Sequence, residues 1–281
     1  MKTVNTVPEI LSTFPDSHFD KQRWRDYAGA IHPELPKLCE EDTAKYEFEK
    51  DVLPVIETAL GEPERIRHLG SRFERVVAEL QERLPVLFDK ECEVTVVLYL
   101  GLCNAAGWVT FLGGKKVVLL GVEKILELNW DSEEKLKALL YHEIGHIWHE
   151  IYGNLEFPAH TQSRQSMLQL WQEGIAMVCE QILSKDERYY HQDENGWLAW
   201  CQEQEPMIKE EYGRRLEQEE STQDFFGDWC DFCGYSDVGY YLGCRFVRWM
   251  MKENDLREIA AMGDAELLEK YIRFAGKELP A

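Results

Sequence analysis

The segment from Asp131 to Asn154, which reads DSEEKLKALLYHEIGHIWHEIYGN, constrains the fold more than any other part of the chain. Asp131 is followed three residues later by Glu134, a pattern typical of a capping box at a helix start. Gly153 is a typical residue just after a helix end. The segment therefore predicts one helix of about twenty residues between these signals.

Three histidines lie in this predicted helix. His142 and His146 are four positions apart, so both rings lie on one face, one turn apart, and can bind one metal ion. Glu143 lies beside the first histidine and can take a proton from a metal-bound water without binding the metal, which is the HExxH arrangement. His149 is about 10 Å along the axis from His142. We therefore expect His149 in a cleft or at the surface rather than among the ligands.

A catalytic zinc site takes three protein ligands and keeps one open position. Glu173 lies 173 − 146 = 27 positions after His146, in the next predicted helix. A carboxylate among apolar residues is costly unless it is paired or binds a metal. We therefore predict Glu173 as the third ligand; the alternative is a glutamate that faces solvent on an amphipathic helix. Its apolar sequence neighbours are Leu168, Leu170, Trp171, Ile175 and Ala176.

These two helices resemble those of gluzincin metallopeptidases, in particular the aminopeptidase branch with its HExxHxW and WxxEGxA motifs. The first motif reads HEIGHIW here, from His142 to Trp148. The second reads WQEGIAMVCE, from Trp171 to Glu180. The resemblance implies a zincin-like catalytic region in a compact form.

The resemblance also implies a role for each residue of the site. His142, His146 and Glu173 would bind one Zn²⁺ ion, and Glu143 would be the general base. Glu180 matches an acid of that branch that orients a ligand histidine, a role that fixes the tautomer of the ring.

The same branch carries a tyrosine in a YxxG element, and this chain offers VGYYLGCRF. Tyr240 precedes Gly243 by three positions, and its phenol would donate a hydrogen bond to the oxyanion formed during hydrolysis. Tyr241 is the reserve for this role, and Arg245 is a second candidate for anion stabilisation. The alternative is that Tyr240 packs in the core of its helix.

The remaining sequence predicts an α+β fold, with a small antiparallel sheet followed by a mainly helical region. Apolar residues at steps of three and four predict a helix from Pro63 that ends near Pro85. The segments CEVTVVLYLGL, GWVTF and KKVVLLGVE predict two or three strands. Further helices are predicted over about 163–185, 196–216 with a break near Pro206, 236–253 and 263–275, whereas residues 1–48 indicate irregular structure with short helices.

We predict an N-terminal helical segment over residues 1–90 and a catalytic domain over residues 91–281. The sheet would occupy residues 91–123 and the helices residues 131–281. The alternative is one continuous domain.

The formal net charge of −21 argues against nucleic acid and anionic membranes as partners. No apolar run is long enough to span a bilayer, and the first residues lack a secretory pattern, so the expected location is the cytoplasm. The eight cysteines are then expected to be reduced. The pair Cys230 and Cys233 lacks the second pair that a zinc knuckle needs.

Together these features predict a zinc-dependent peptidase that acts on a peptide or protein. The GWVTF strand would form the upper edge of the cleft, where a substrate could add as an extra strand. Two alternatives stay open: a catalytically inactive, zinc-containing peptide-binding protein, and a helical protein without a metal. Endopeptidase and aminopeptidase activity also stay open.

Overall fold

The structure, a computed structural model, describes residues 1–154, 160–227 and 229–276. Its contacts separate the chain into two units, one up to Glu143 and one from Ile144 onward. This boundary falls within one continuous helix, Glu133–Tyr152. None of the described helices is long and apolar enough to cross a membrane.

One mixed sheet of four strands organises the first unit, with the strand order β1-β2-β4-β3. β2 pairs in parallel with β1 on one side and with β4 on the other, whereas β3 pairs antiparallel with β4. Gly113 and Gly114 both have positive φ angles and form the tight turn between β3 and β4. The strands are β1 (Lys2–Asn5), β2 (Thr95–Tyr99), β3 (Gly107–Leu112) and β4 (Lys115–Gly121).

The α+β class is therefore confirmed, but the expectation of an antiparallel sheet is right only for the β3–β4 pair. β1 was not predicted because it is short and exposed along most of its length. β2 and β4 are almost entirely buried, and continuous apolar runs of this kind are typical of parallel strands. β1 also joins residues on both sides of the predicted division at residue 90, since Val4 pairs with Val97.

Six α-helices of the first unit precede the histidine helix, together with a π-helical turn at Phe48–Val52 and a 3-10 turn at Leu84–Val86. The predicted helix that starts at Pro63 is confirmed, and its apolar stripe, which includes Ile66, Phe73 and Leu80, is buried. The buried Trp24 donates from its indole N–H to the carbonyl of Leu100, which ties a helix to the end of β2. The six are α1 (Val7–Thr13), α2 (Lys21–Ile31), α3 (Leu35–Thr43), α4 (Leu53–Leu60), α5 (Pro63–Arg83) and α6 (Val122–Glu127).

The histidine helix, α7 (Glu133–Tyr152), has the predicted length, but its N-terminus is formed differently. Ser132 accepts a hydrogen bond from the backbone N–H of Lys135 at 3.2 Å and so acts as the cap. Asp131 is instead engaged by Arg65 at 2.5 Å and Arg72 at 2.9 Å. The predicted capping box at Asp131 is therefore wrong, because two arginines of α5 compete for that carboxylate.

The second unit is helical throughout its named elements. The predicted helices are present within a few residues of their expected ends, and the predicted break near Pro206 is confirmed. Pro206 lies in the first turn of a helix, where its missing N–H costs nothing. The elements are α8 (Gln162–Ser184), α9 (Trp197–Glu203), α10 (Glu205–Gln218), α11 (Val238–Met250), α12 (Leu256–Ala260) and α13 (Asp264–Phe274).

Candidate metal centre

Helix α7 carries both histidines of the HExxH motif, and a glycine between them sets its distance from α8. A Cβ atom added to Gly145 would lie 2.7 Å from the Cα of Ala176 and 2.8 Å from its carbonyl oxygen. Real Cβ atoms do not approach other atoms this closely, so only glycine allows the two backbones to pack at this point. The HEIGH and EGIA segments therefore meet through their small residues.

His142, His146 and Glu173 converge on one point. One ligand atom from each residue lies within 4.8 Å of the other two, and the His146 Nε2 and Glu173 Oε2 atoms are 3.4 Å apart. His142 is buried, whereas the side chains of His146 and Glu173 keep 25% and 17% of their exposure. Among the described residues they form the one group of three that could hold a metal ion. The solvent-facing alternative for Glu173 is therefore wrong.

The donor set and its spacing fit a divalent cation. Two imidazole nitrogens and a carboxylate oxygen are ligands that zinc accepts, with bond lengths of about 2.0–2.2 Å. Tetrahedral bonds of that length separate neighbouring donor atoms by about 3.4 Å. The distance between His146 Nε2 and Glu173 Oε2 equals that separation. The remaining exposure of these two side chains leaves access for a further ligand from solvent.

Glu143 is buried beside His142 and lies against the sheet of the first unit. A Cβ atom added to Gly107 would lie 2.8 Å from Glu143 Oε1 and 3.0 Å from its Cγ. Gly107 is the first residue of β3, which is an edge strand of the sheet. The acid of the HExxH motif therefore faces the start of the strand that the sequence predicted as the cleft edge.

A second pair of glycines brings α11 against α8 next to Glu173. A Cβ atom on Gly174 would lie 2.4 Å from the carbonyl oxygen of Gly243, and one on Gly243 would lie 2.5 Å from that of Leu170. The glycine of the EGxA segment thus contacts the glycine of the YxxG segment. Tyr240, one turn before Gly243, is half-buried on a helix that touches the residue next to Glu173.

Glu180 and His191 form a buried pair in the second unit. The His191 Nδ1 atom lies 3.0 Å from one carboxylate oxygen of Glu180 and 3.1 Å from the other. The ring of His191 also packs edge-on against that of Tyr240, with 6.4 Å between centroids. The sequence did not single out His191, because it lies between helices where no periodic pattern marks it. The expected role of Glu180 toward a ligand histidine stays a prediction.

Tyr241 and Arg245, the reserve candidates for anion stabilisation, share a different partner. The Tyr241 hydroxyl donates to Glu205 at 2.5 Å, and Arg245 Nε donates to the same carboxylate oxygen at 3.0 Å. Burial of the hydroxyl and its bond to Glu205 raise the pKa of Tyr241. Both side chains therefore tie α11 to the start of α10.

His149 lies in the interior and not in a cleft or at the surface, so this expectation was wrong. Its side chain is buried, and its ring packs edge-on against Trp171 with 4.4 Å between centroids. Burial, and secondarily the nearby His146, lower the pKa of His149 to about 3, which keeps its ring neutral near pH 7. The seven-residue offset puts His149 on the same face of α7 as His142, but the sequence did not reveal that Trp171 covers its ring.

Compared with protein-family models, with curated proteins and with solved structures, the chain shows no match. The geometry of the residues therefore carries the interpretation of this site.

Proposed function

We propose that the protein is a zinc-dependent peptidase of the gluzincin type, with a zincin-like catalytic region. The observation that carries this proposal is the convergence of His142, His146 and Glu173 within 4.8 Å, directly beside the acid Glu143. A purely structural metal site has no need of a glutamate at that position. The substrate would be a peptide or protein rather than nucleic acid, because the formal net charge of −21 repels phosphate groups.

The three ligands would hold the ion and leave one position for water or substrate. A zinc ion bound there would lower the pKa of a coordinated water to about 7 and polarise a carbonyl group. The imidazoles of His142 and His146 must be neutral to bind, and Glu173 must be ionised.

Glu143 would move the proton. Its carboxylate would accept a proton from the attacking water and pass it to the departing amine, so it acts first as a base and then as an acid. Glu143 is buried and follows His142 directly in α7, so the proposed base lies next to a proposed ligand, which supports this role. Gly107, the first residue of β3, lies close to this carboxylate.

Tyr240 would donate a hydrogen bond to the oxyanion as the carbonyl becomes tetrahedral. One observation supports it: α11, the helix of Tyr240, touches α8 at Gly174, next to Glu173. The Glu180–His191 pair would orient this part of the site, since the His191 ring packs against Tyr240.

The substrate backbone would pair with β3. This strand has a neighbour on one side only, so its outer edge can accept an extended peptide. Its first residue, Gly107, lies against Glu143, which places the edge beside the proposed base. The cytoplasm is the proposed location, because none of the eight cysteines, all in the described ranges, forms a disulfide.

The test is a digest of a fluorogenic peptide library by the wild-type protein, by Glu143→Gln and by Glu134→Gln. Glu134 is an exposed glutamate of the same helix and serves as the matched control. We expect cleavage by the wild type and Glu134→Gln, and a loss of about 10²–10⁴-fold in Glu143→Gln, the contribution of a general base. Metal analysis of each protein should find equal zinc, because Glu143 is not a ligand.

Equal cleavage by all three proteins would overturn the role of Glu143. Binding of library peptides without cleavage by any of them would favour the alternative of an inactive, zinc-containing peptide-binding protein. Absence of zinc from the wild type, after purification without chelators and titration with the metal, would remove the proposal.

A further inference from the structure

Trp229 has the highest exposure of the large apolar side chains in the described part of the chain, at 69%. Single exposed apolar side chains are common on protein surfaces, but tryptophan is enriched at interfaces because its ring supplies a large contact area. The question is which ligand this ring would contact.

A glycine supports the exposed ring. A Cβ atom added to Gly227 would lie 2.7–2.8 Å from three atoms of the Trp229 indole, so the ring lies directly on the Gly227 backbone. Gly227 has a φ angle of +113°, which side chains rarely allow, and its N–H donates to Asp237 at 2.8 Å. The Cys230 thiol lies 3.3 Å from the carbonyl oxygen of Phe226. These contacts anchor the backbone on both sides of the tryptophan.

This segment lies beside Tyr240. The Phe226 ring packs edge-on against the Tyr240 ring, with 5.7 Å between centroids. A Cβ atom on Gly239 would lie 2.3 Å from Phe226, so the start of α11 is in direct contact with that ring. The exposed indole therefore lies only three residues along the chain from a ring that contacts the proposed oxyanion donor.

Three acids near Trp229 in the described part of the chain have partners. Asp224 pairs with Arg215, Asp231 accepts from the N–H of Gly234 at 2.7 Å, and Asp237 accepts from Gly227. The surface that Trp229 itself exposes is its apolar indole.

We propose that Trp229 is a specificity-determining residue that binds a large apolar side chain, preferably aromatic, of the peptide substrate. The inference rests on the proposed peptidase function and adds a substrate class to it. Stacking on an indole favours flat aromatic rings, and apolar aliphatic chains would follow them.

The experiment uses peptides that are identical except for Phe, Ala or Lys at one position, with that position moved along each side of the peptide centre. Cleavage is measured with the wild type, Trp229→Ala, Trp229→Phe and the control Val86→Ala, which truncates an exposed apolar residue of the other unit. Binding of the same peptides is measured by fluorescence anisotropy with Glu143→Gln and with Glu143→Gln combined with Trp229→Ala. Thermal unfolding confirms that each variant is folded.

At one peptide position we expect the wild type to prefer Phe over Ala by about tenfold in kcat/KM, as burial of part of an aromatic ring would give. Trp229→Ala should reduce this preference to about twofold, whereas Trp229→Phe and Val86→Ala should keep most of it. An unchanged preference in Trp229→Ala, no preference at any position, or a preference for Lys would overturn the inference.

The two proposals fail in different ways. Cleavage that needs Glu143 but ignores Trp229 supports the peptidase function and overturns the role of Trp229. Aromatic-selective binding that needs Trp229, without cleavage by the wild type, supports the role of Trp229 and overturns the peptidase function.

Discussion

Two interior glutamates, one in each unit, show how differently a fold can stabilise a carboxylate. Glu123 on α6 is buried and accepts hydrogen bonds from the backbone N–H groups of Gly101 at 2.8 Å and Cys103 at 3.0 Å. Glu173 on α8 retains some exposure and faces the imidazole of His146 at 3.4 Å. The first carboxylate is held by fixed donors of the main chain, and the second faces side chains that are themselves candidate metal ligands.

This difference in hydrogen-bond partners distinguishes Glu123, a structural acid, from Glu173, a candidate metal ligand. Main-chain N–H groups next to Glu123 satisfy both of its oxygens and hold the loop after β2 in place. Neutral imidazoles offer a lone pair as readily as a proton, so a carboxylate facing two of them is best satisfied by a cation. Each acid also lies beside a glycine that cannot carry a side chain, Gly101 for Glu123 and Gly174 for Glu173.

The largest effect should come from Glu173→Ala in the presence of zinc. At a zinc concentration of about a thousand times the dissociation constant, binding raises the free energy of unfolding by about 4 kcal/mol. With one ligand removed, we expect this gain to fall below about 1 kcal/mol. Urea unfolding with zinc and with a chelator measures it. Glu123→Gln is the contrast and should keep the full zinc gain; an equal gain in Glu173→Ala would mean that residue 173 is not a ligand.

Gly174→Ala should be the next largest effect. The added methyl group would meet the carbonyl oxygen of Gly243 at 2.4 Å, so α8 and α11 must separate, and we expect a loss of about 3 kcal/mol. Gly101→Ala should cost less, about 1–2 kcal/mol, because its methyl group meets side-chain atoms rather than backbone: Glu123 Oε1 at 2.6 Å and the Tyr99 hydroxyl oxygen at 3.0 Å.

Gly263→Ala serves as the control for both glycine variants, since an added Cβ there meets nothing within 4 Å. Chemical denaturation gives the three free energies. Equal losses at Gly174 and Gly101 would contradict the expectation that the backbone contact between α8 and α11 tolerates an added methyl group less well than the side-chain contact at Gly101.

The smallest effect should be a pH dependence that belongs to Glu123. Burial raises the pKa of Glu123 to about 6 from 4.5, although the two backbone N–H groups oppose the shift. Between these values the folded state binds a proton that the unfolded state has lost, so this residue's contribution to stability falls as pH rises, by about 2 kcal/mol in total.

The difference in free energy of unfolding between the wild type and Glu123→Gln, measured from pH 4 to pH 7, isolates this contribution. The wild type should lose stability relative to the variant as the pH rises. A difference that does not change with pH would show that the main-chain donors offset the burial completely.

The helices were predictable because their signals are local. The repeat of apolar residues in α5 and the four-residue spacing of His142 and His146 both follow from the helical period. The sheet was less predictable: the short exposed β1 has no local pattern, and its pairing with β2 depends on residues about ninety positions away. The interaction of Asp131 was also not predictable from the local sequence, because two arginines distant in the chain bind its carboxylate in place of the expected capping interaction.

The sequence alone determined the candidate ligands, since the spacing of two histidines on one helix and an acid in an apolar segment are properties of the chain itself. Only the tertiary structure decided that Glu173 faces His146, that His191 pairs with Glu180, and that His149 is covered by Trp171. The physical reason lies in the glycines. Gly145, Gly174 and Gly243 set how closely three helices approach. Such a contact depends on two segments that are far apart in the chain, so the local pattern of either segment does not reveal it.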